Sequence, residues 1–276
     1  MKYCLDFNKK YLSLLNEVDE ITIQYNKRDT SLVEFLQKYS NKRVNILISD
    51  LEDFIESKEI DKIKGIKEKY PELNFALQLP RTNNFSFIKE LRNIGLKFFI
   101  SDFAFDWDIF LGLINLGVSD IYVTDNLGFE LDKCAKIAHE NNIAIRVFPN
   151  VAQSKWSNTP GEKKFFIRPE DLDFYEDFVD VVEFFGEGAY VPTVFKVYFF
   201  DKKWHGNLNE IILNLGTDLD SRFILPQFAE SRIKCGKKCI KQRTCNICTR
   251  IKETSELLKS NNLIVERKKD LEKEKK

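Results

Sequence analysis

The sequence predicts an α/β protein: a (β/α)8 TIM-type barrel followed by a short C-terminal cysteine-rich metal-binding extension. Three observations carry this expectation. Short β-branched and aromatic runs alternate with segments of helical period along most of the chain, which implies a parallel sheet. A length of 276 residues with 43% hydrophobic content suits one barrel of roughly 250 residues better than two full domains. Four cysteines then crowd into residues 235–248.

Nine apolar runs read as strands: residues 3–7, 21–25, 44–49, 75–79, 98–101, 121–124, 143–148, 165–168 and 181–185. Helical patterns occupy residues 10–18, 31–39, 51–70, 86–95, 107–117, 130–141 and 169–178. In the first of these, Tyr11, Leu14, Leu15 and Val18 share one face. Gly95 and Gly117 stand where helix C-caps belong. Ser31 and Ser86 stand at helix N-termini, and Glu34 completes a capping box with Ser31. Eight strand–helix units close a barrel, so nine runs leave one over. An open doubly wound sheet is the alternative. No glycine-rich loop follows an early strand, which argues against a Rossmann dinucleotide site.

Barrels concentrate their chemistry at the C-terminal strand ends. Asp125, Asn126, Asn150, Arg168 and Glu183 fall at or beside such ends and are the candidate mouth residues. Gln24, Gln78, Arg168 and Glu183 interrupt otherwise apolar runs. A buried Arg168 needs a carboxylate, which Glu183 or Glu170 can supply, either as a structural pair or as part of an anion site.

The formal charge is zero, with 43 basic and 43 acidic side chains, but it is unevenly spread. Residues 232–252 hold eight Lys or Arg and no acid, a basic module on an acidic body. The organisation read from this is a barrel over residues 1–228, a four-cysteine segment with a helix over 229–264, and a charged, disordered tail over 265–276. No apolar run approaches the roughly 20 residues that span a bilayer, and the N-terminus lacks a signal-peptide pattern, so a cytoplasmic location without membrane contact is expected.

Cys235, Cys239, Cys245 and Cys248 follow C-x3-C-x5-C-x2-C. Four thiolates this close can converge on one tetrahedral ion or on the corners of a cluster. Disulfides would be reduced in a cytosol, and no thioredoxin-like unit surrounds the C-x-x-C. The spacing by itself suits either Zn2+ or iron–sulfur. Lys234, Lys237, Lys238, Lys241 and Arg243 surround these sulfurs. They compensate thiolate charge, or they dock RNA or an acidic partner. Cys4 and Cys134 read as buried packing residues, His139 as a surface or packing residue, and His205 as a turn residue open to a catalytic role. No Ser-His-Asp elbow and no His-Glu-x-x-His is present.

Two stretches resemble the collagenase-like peptidase family (unknown-mechanism class U, family 32). One runs from Phe99-Ile-Ser-Asp102 through Leu116-Gly-Val-Ser-Asp-Ile-Tyr-Val-Thr-Asp-Asn-Leu127 to Ile145-Arg-Val-Phe-Pro-Asn150. The other runs from Arg168-Pro-Glu-Asp-Leu172 through Val182-Glu-Phe-Phe-Gly186 to Tyr190-Val191 and Tyr198. The resemblance implies a (β/α) barrel that acts on proteins, on RNA, or in oxygen-independent hydroxylation, and it favours a [4Fe–4S] cluster over zinc. This chain departs from the family pattern: His-Gly stands as Pro149-Asn150, and Glu-Gly-Arg as Phe185-Gly186-Glu187. The cysteines follow the barrel rather than interrupting it. Three functions therefore compete: an iron–sulfur enzyme modifying RNA or another macromolecule, a non-catalytic binding or assembly protein with a structural zinc knuckle, and a peptidase.

Overall fold

The computed structural model describes residues 1–6, 13–24, 41–48, 59–69, 75–79, 85–93, 99–104, 106–153, 164–186, 190–233, 235 and 247–261. Eight strands are present among them: β1 (Lys2–Asp6), β2 (Glu20–Gln24), β3 (Arg43–Leu47), β4 (Phe75–Gln78), β5 (Phe99–Ala104), β6 (Asp120–Val123), β7 (Ala144–Val147) and β8 (Val181–Phe184). Their order in space is their order in sequence. Parallel registers run β1–β2–β3–β4–β5 and β6–β7, with Cys4 beside Glu20, Thr22 beside Asn45 and Tyr122 beside Arg146. The sheet curls: the Lys2 N–H opening β1 donates to the Asp180 carbonyl just ahead of β8 at 2.6 Å. The result is a mixed α/β architecture with an all-parallel curled sheet, compatible with a TIM-like fold.

Five principal helices are described: α1 (Glu59–Lys69), α2 (Phe85–Asn93), α3 (Trp107–Leu116), α4 (Leu131–Glu140) and α5 (Ile247–Ser260). In α3, Asp106 accepts the Ile109 N–H as N-cap. Gly117 ends it at φ 60°, as its position suggested, and the Arg92 side chain covers the last carbonyls, those of Leu116 and Gly117. The positive φ calls for glycine, and a Cβ there, 3.2 Å from Arg92 Nη2, would need that side chain to shift.

Several expectations need correction. Residues 165–168 form no strand. Phe165 makes one antiparallel bridge to Gln153, and Arg168 then precedes the 3-10 helix Pro169–Tyr175. This is the surplus run: Pro169 offers no N–H and fixes a helical φ, so the segment turns out of extended structure. The pattern over 169–178 is correspondingly a 3-10 helix rather than an α-helix. Leu14, Leu15 and Val18 are buried, but residues 13–16 are turns, with Glu17 N–H bonded to the Leu14 carbonyl. Ser86 lies one residue inside α2 rather than capping it. The expected helix at 31–39, Gly95 and the tail at 265–276 lie outside the described residues.

The chain divides into two compact units. Unit 1 comprises residues 1–122, 137–146 and 180–183; unit 2 comprises residues 123–136, 147–179 and 184–276. In unit 1 the strands alternate. Leu5, Ile21, Ile23, Val44, Ile46, Leu77, Ile121, Ile145 and Val182 are buried on one face. The other phase is polar and equally buried, as described below. Unit 2 is built on aromatic packing: Phe184 meets Phe195 and Tyr198 edge-on at 5.4 Å, and Phe165 meets Phe129 and Tyr175 at 6.1 and 6.5 Å.

Candidate functional site

The inner face of the unit 1 sheet holds a connected ionic and hydrogen-bonded network. Arg146, on β7, is fully buried. Its Nη1 donates to Glu20 Oε2 at 2.8 Å and Asp120 Oδ1 at 3.0 Å, and its Nη2 to Glu183 Oε2 at 3.0 Å. Arg43 forks onto both oxygens of Asp120 at 3.0 and 2.7 Å. Asn45 Nδ2 donates to Glu20 at 3.1 Å. On the other side, Thr22 Oγ1 donates to Glu183 Oε1 at 2.9 Å, Gln78 Nε2 to Tyr122 OH at 2.8 Å, and Tyr122 OH to Glu183 Oε2 in a very short bond. Cys4 Sγ lies 3.4 Å from Thr22 Oγ1. Parallel strands in α/β folds usually read as continuous apolar runs. Here one phase of nearly every strand is polar instead.

Electrostatics sort these groups. Burial opposes ionisation of Asp120, but Arg146 and Arg43 outweigh it, with hydrogen bonds from Arg43 and Ser119, and hold the carboxyl below its ordinary range. Burial pushes the Tyr122 phenol well up, and Glu183 pushes it further, so Tyr122 remains a proton donor to that carboxylate. Burial and the Glu183 charge raise the Cys4 thiol likewise. Glu20 Oε1, Asn45 Oδ1 and Arg146 Nε are buried with no hydrogen-bond partner among the described residues.

Unit 2 holds the other predicted residues. Arg168 grips Asp171 through Nε and Nη2 at 2.6 and 2.7 Å and lies 3.3 Å from Glu170. Its Nη1 also reaches the carbonyls of Ser221 and Ile224 at 3.3 Å each. The expected Glu170 contact is present, while Glu183 pairs with Arg146 and not with Arg168. Burial raises the Glu170 carboxyl despite Arg168, and Ser221 Oγ bonds it closely. Asn150 Nδ2 donates to the Phe185 carbonyl at 2.6 Å, and the Phe185 N–H donates to Asn150 Oδ1 at 3.1 Å. The amide thus acts as a strand partner for the loop after β8. Gly186 follows at φ 146°, against the Tyr190 ring. Asp125 and Asn126 open a short helix, Asp125–Gly128; only their backbone is described.

Of the four cluster cysteines, Cys235 and Cys248 are described and half-buried. Cys239, Cys245 and the basic residues Lys234, Lys237, Lys238, Lys241 and Arg243 lie outside the described residues. Cys248 sits in the first turn of α5. Burial disfavours the charge of the nearby Arg232 guanidinium, and Cys248, Tyr175, Cys235 and Asp171 favour it. Cys4 and Cys134 are buried, as expected, and burial raises both thiols. His139 bonds Asp180 at 2.9 Å in unit 1, and His205 is exposed in unit 2. No helix among the described residues is long and apolar enough to cross a membrane.

Sequence reasoning missed Arg146, Glu20, Asp120, Tyr122, Thr22 and Asn45. For Thr22, Asn45, Tyr122 and Arg146 the signal was the repeated apolar–polar–apolar triplet, in Ile21-Thr22-Ile23, Val44-Asn45-Ile46, Ile121-Tyr122-Val123 and Ile145-Arg146-Val147, which Val182-Glu183-Phe184 shares; Glu20 and Asp120 stand just ahead of it.

A curated protein of Methanocaldococcus jannaschii named "Uncharacterized protease MJ1657" is 32% identical to this chain over 99 residues. The match covers 33% of this chain and 28% of that protein, so the chain spans under a third of its relative's length. No family model matches the sequence.

Proposed function

We propose that this chain is a divergent barrel enzyme of the collagenase-like peptidase type, an iron–sulfur protein that modifies RNA. In this reading the curled sheet closes as a (β/α)8 barrel, and Cys235, Cys239, Cys245 and Cys248 hold a [4Fe–4S] cluster. What supports it is the C-x3-C-x5-C-x2-C spacing, two of whose cysteines, Cys235 and Cys248, are half-buried. A bound cluster supplies one-electron transfer. The basic residues Lys234, Lys237, Lys238, Lys241 and Arg243 would meet phosphates, and the protein would work in the cytoplasm, where thiols stay reduced.

The barrel contributes Glu183 with its bound Tyr122 proton and Thr22 hydroxyl, a carboxylate oriented from three directions. Asn150 holds Phe185, and with it the loop following β8, in fixed geometry. The relative's name favours proteolysis as a second reading. The described thiols Cys4 and Cys134 suit packing rather than attack, because burial keeps them protonated.

Anaerobic purification with metal analysis and a visible spectrum, beside Cys245→Ser, tests the proposal. About four iron per chain with broad absorbance, lost in the variant, is the expected result. One zinc without colour would point to the structural knuckle instead. Metal-independent cleavage of a peptide library would revive the peptidase.

A further inference from the structure

Phe185 is 51% exposed, yet the backbone that carries it is held from both sides. Strand β8 ends at Phe184, whose ring is buried against Phe195 and Tyr198. Phe185 is next in the alternation and therefore falls on the opposite side. Asn150 is fully buried and uses both ends of its amide on this one residue. Its Nδ2 donates to the Phe185 carbonyl at 2.6 Å, and its Oδ1 accepts the Phe185 N–H at 3.1 Å. Phe148 meets the Phe185 ring edge-on at 5.9 Å. Gly186, at φ 146°, then turns the chain, with the Tyr190 ring lying where a side chain at 186 would stand. All of these residues belong to unit 2.

Burying an amide is unfavourable unless its hydrogen bonds are made, and here they are made to hold an exposed ring in one place. The place is the C-terminal end of a parallel strand, where barrels and open α/β sheets bind their ligands. A ring fixed before binding loses little further freedom when a flat ligand stacks on it. Unpaired bases stack on such rings, whatever the sequence, because every base has a π face. Pro149-Asn150 and Phe185-Gly186-Glu187 are also the two places where the sequence leaves the collagenase-like pattern, and Asn150 and Phe185 meet here.

We infer that Phe185 is a stacking residue for an unpaired RNA base, and that Asn150 is its positioning residue. The inference rests on the RNA reading proposed above and deepens it. The RNA is single-stranded at the point of contact, and the contact is made by an aromatic face rather than by charge.

The test is fluorescence anisotropy of the full chain with labelled single-stranded oligoadenylate, and with the same strand paired to oligouridylate. Wild type is compared with Phe185→Ala, Phe185→Leu, Phe185→Trp and Asn150→Ala, each checked by thermal unfolding. Phe185→Ala and Phe185→Leu should bind the single strand about tenfold more weakly, and Phe185→Trp should stay within about threefold of wild type. Duplex binding should not change. The tenfold ratio should persist at high salt, because stacking releases no counterions. Asn150→Ala should weaken single-strand binding too, with no further loss in the Phe185→Ala/Asn150→Ala double variant. Equal single-strand affinity in wild type and Phe185→Ala would overturn the inference and leave the RNA reading standing. Phe185→Leu binding as well as wild type would also overturn it, since any apolar side chain would then serve. Additive losses in the double variant would remove Asn150 from the assignment; should Asn150→Ala not fold, the Phe185 variants decide the stacking role alone. A wild-type protein that binds neither RNA would sink the RNA reading itself. Ring-dependent binding of a labelled tyrosine–glycine repeat peptide in its place would assign Phe185 to a peptide substrate and overturn base stacking.

Discussion

Replacing Arg146 with Met keeps most of the buried stem and removes the charge that links three carboxylates. Glu20, Asp120 and Glu183 would then face one another with Arg43 alone to compensate them, and Arg43 reaches Glu20 only at 3.8 Å. Removing one partner of a buried ion pair typically costs about 3–5 kcal/mol, because the remaining charge stays desolvated. With contacts to three carboxylates, at 2.8, 3.0 and 3.0 Å, the upper part of that range applies, offset by proton uptake. A loss of about 4 kcal/mol is a large share of the roughly 5–15 kcal/mol that holds a native protein together. It should lower the melting temperature by roughly 10 °C, at about 2–4 °C per kcal/mol for a chain of this size.

The pH dependence adds a second check. The Asp120 carboxyl lies below its ordinary value of 3.8 in the folded protein. Its contribution is therefore present above that value and is lost as pH falls through the lower folded value. In Arg146→Met, Asp120 keeps Arg43 but loses the Arg146 charge, so burial is opposed less and its carboxyl is held down less. The stability gap between the two proteins should be widest near neutral pH and should narrow toward pH 4–5. Urea denaturation at pH 7 and pH 5 measures it. A variant within about 1 kcal/mol of wild type at pH 7, or a gap that widens on acidification, would refute the reasoning.

Two further outcomes follow from unit 2. Arg168→Ala should destabilise the protein by about 3–5 kcal/mol in denaturant titration, because Asp171 loses its bidentate partner and the carbonyls of Ser221 and Ile224 each lose a donor. Gly186→Ala combines a φ of 146° with a Cβ 2.6 Å from the Tyr190 ring. It should cost about 1–3 kcal/mol by thermal unfolding, and Tyr190→Ala in the same chain should relieve the steric part.

The alternation of strands and helices was legible because apolar runs and cap residues are local signals. The helix ended by Gly117 is an example: its cap geometry depends on neighbours within a few residues. The run at 165–168 misled for a local reason as well, since β-rich composition outvoted the effect of Pro169. The interior network was harder to see. Arg146 and Glu20 are 126 residues apart, and no window of sequence holds both. The polar phase of the strands was visible, but parallel sheets are expected to be apolar on both faces, so Gln78 and Glu183 stood out as isolated interruptions rather than as members of one set. For the cysteines, spacing alone indicated a possible common ligand, and Cys239 and Cys245 lie outside the described residues.

The inner network also bears on how the chain reaches its final form. Thr22 and Glu183 bond across 161 residues of sequence, and Arg146 finds its third carboxylate only when that same glutamate arrives. Until β8 is made and docked, an emerging chain must keep Arg146, Asp120 and Glu20 hydrated, because burying them incompletely matched is unfavourable. Collapse of the earlier strands is therefore penalised while the last is missing. Synthesis order and charge pairing together disfavour compaction of the earlier strands until Glu183 has been added.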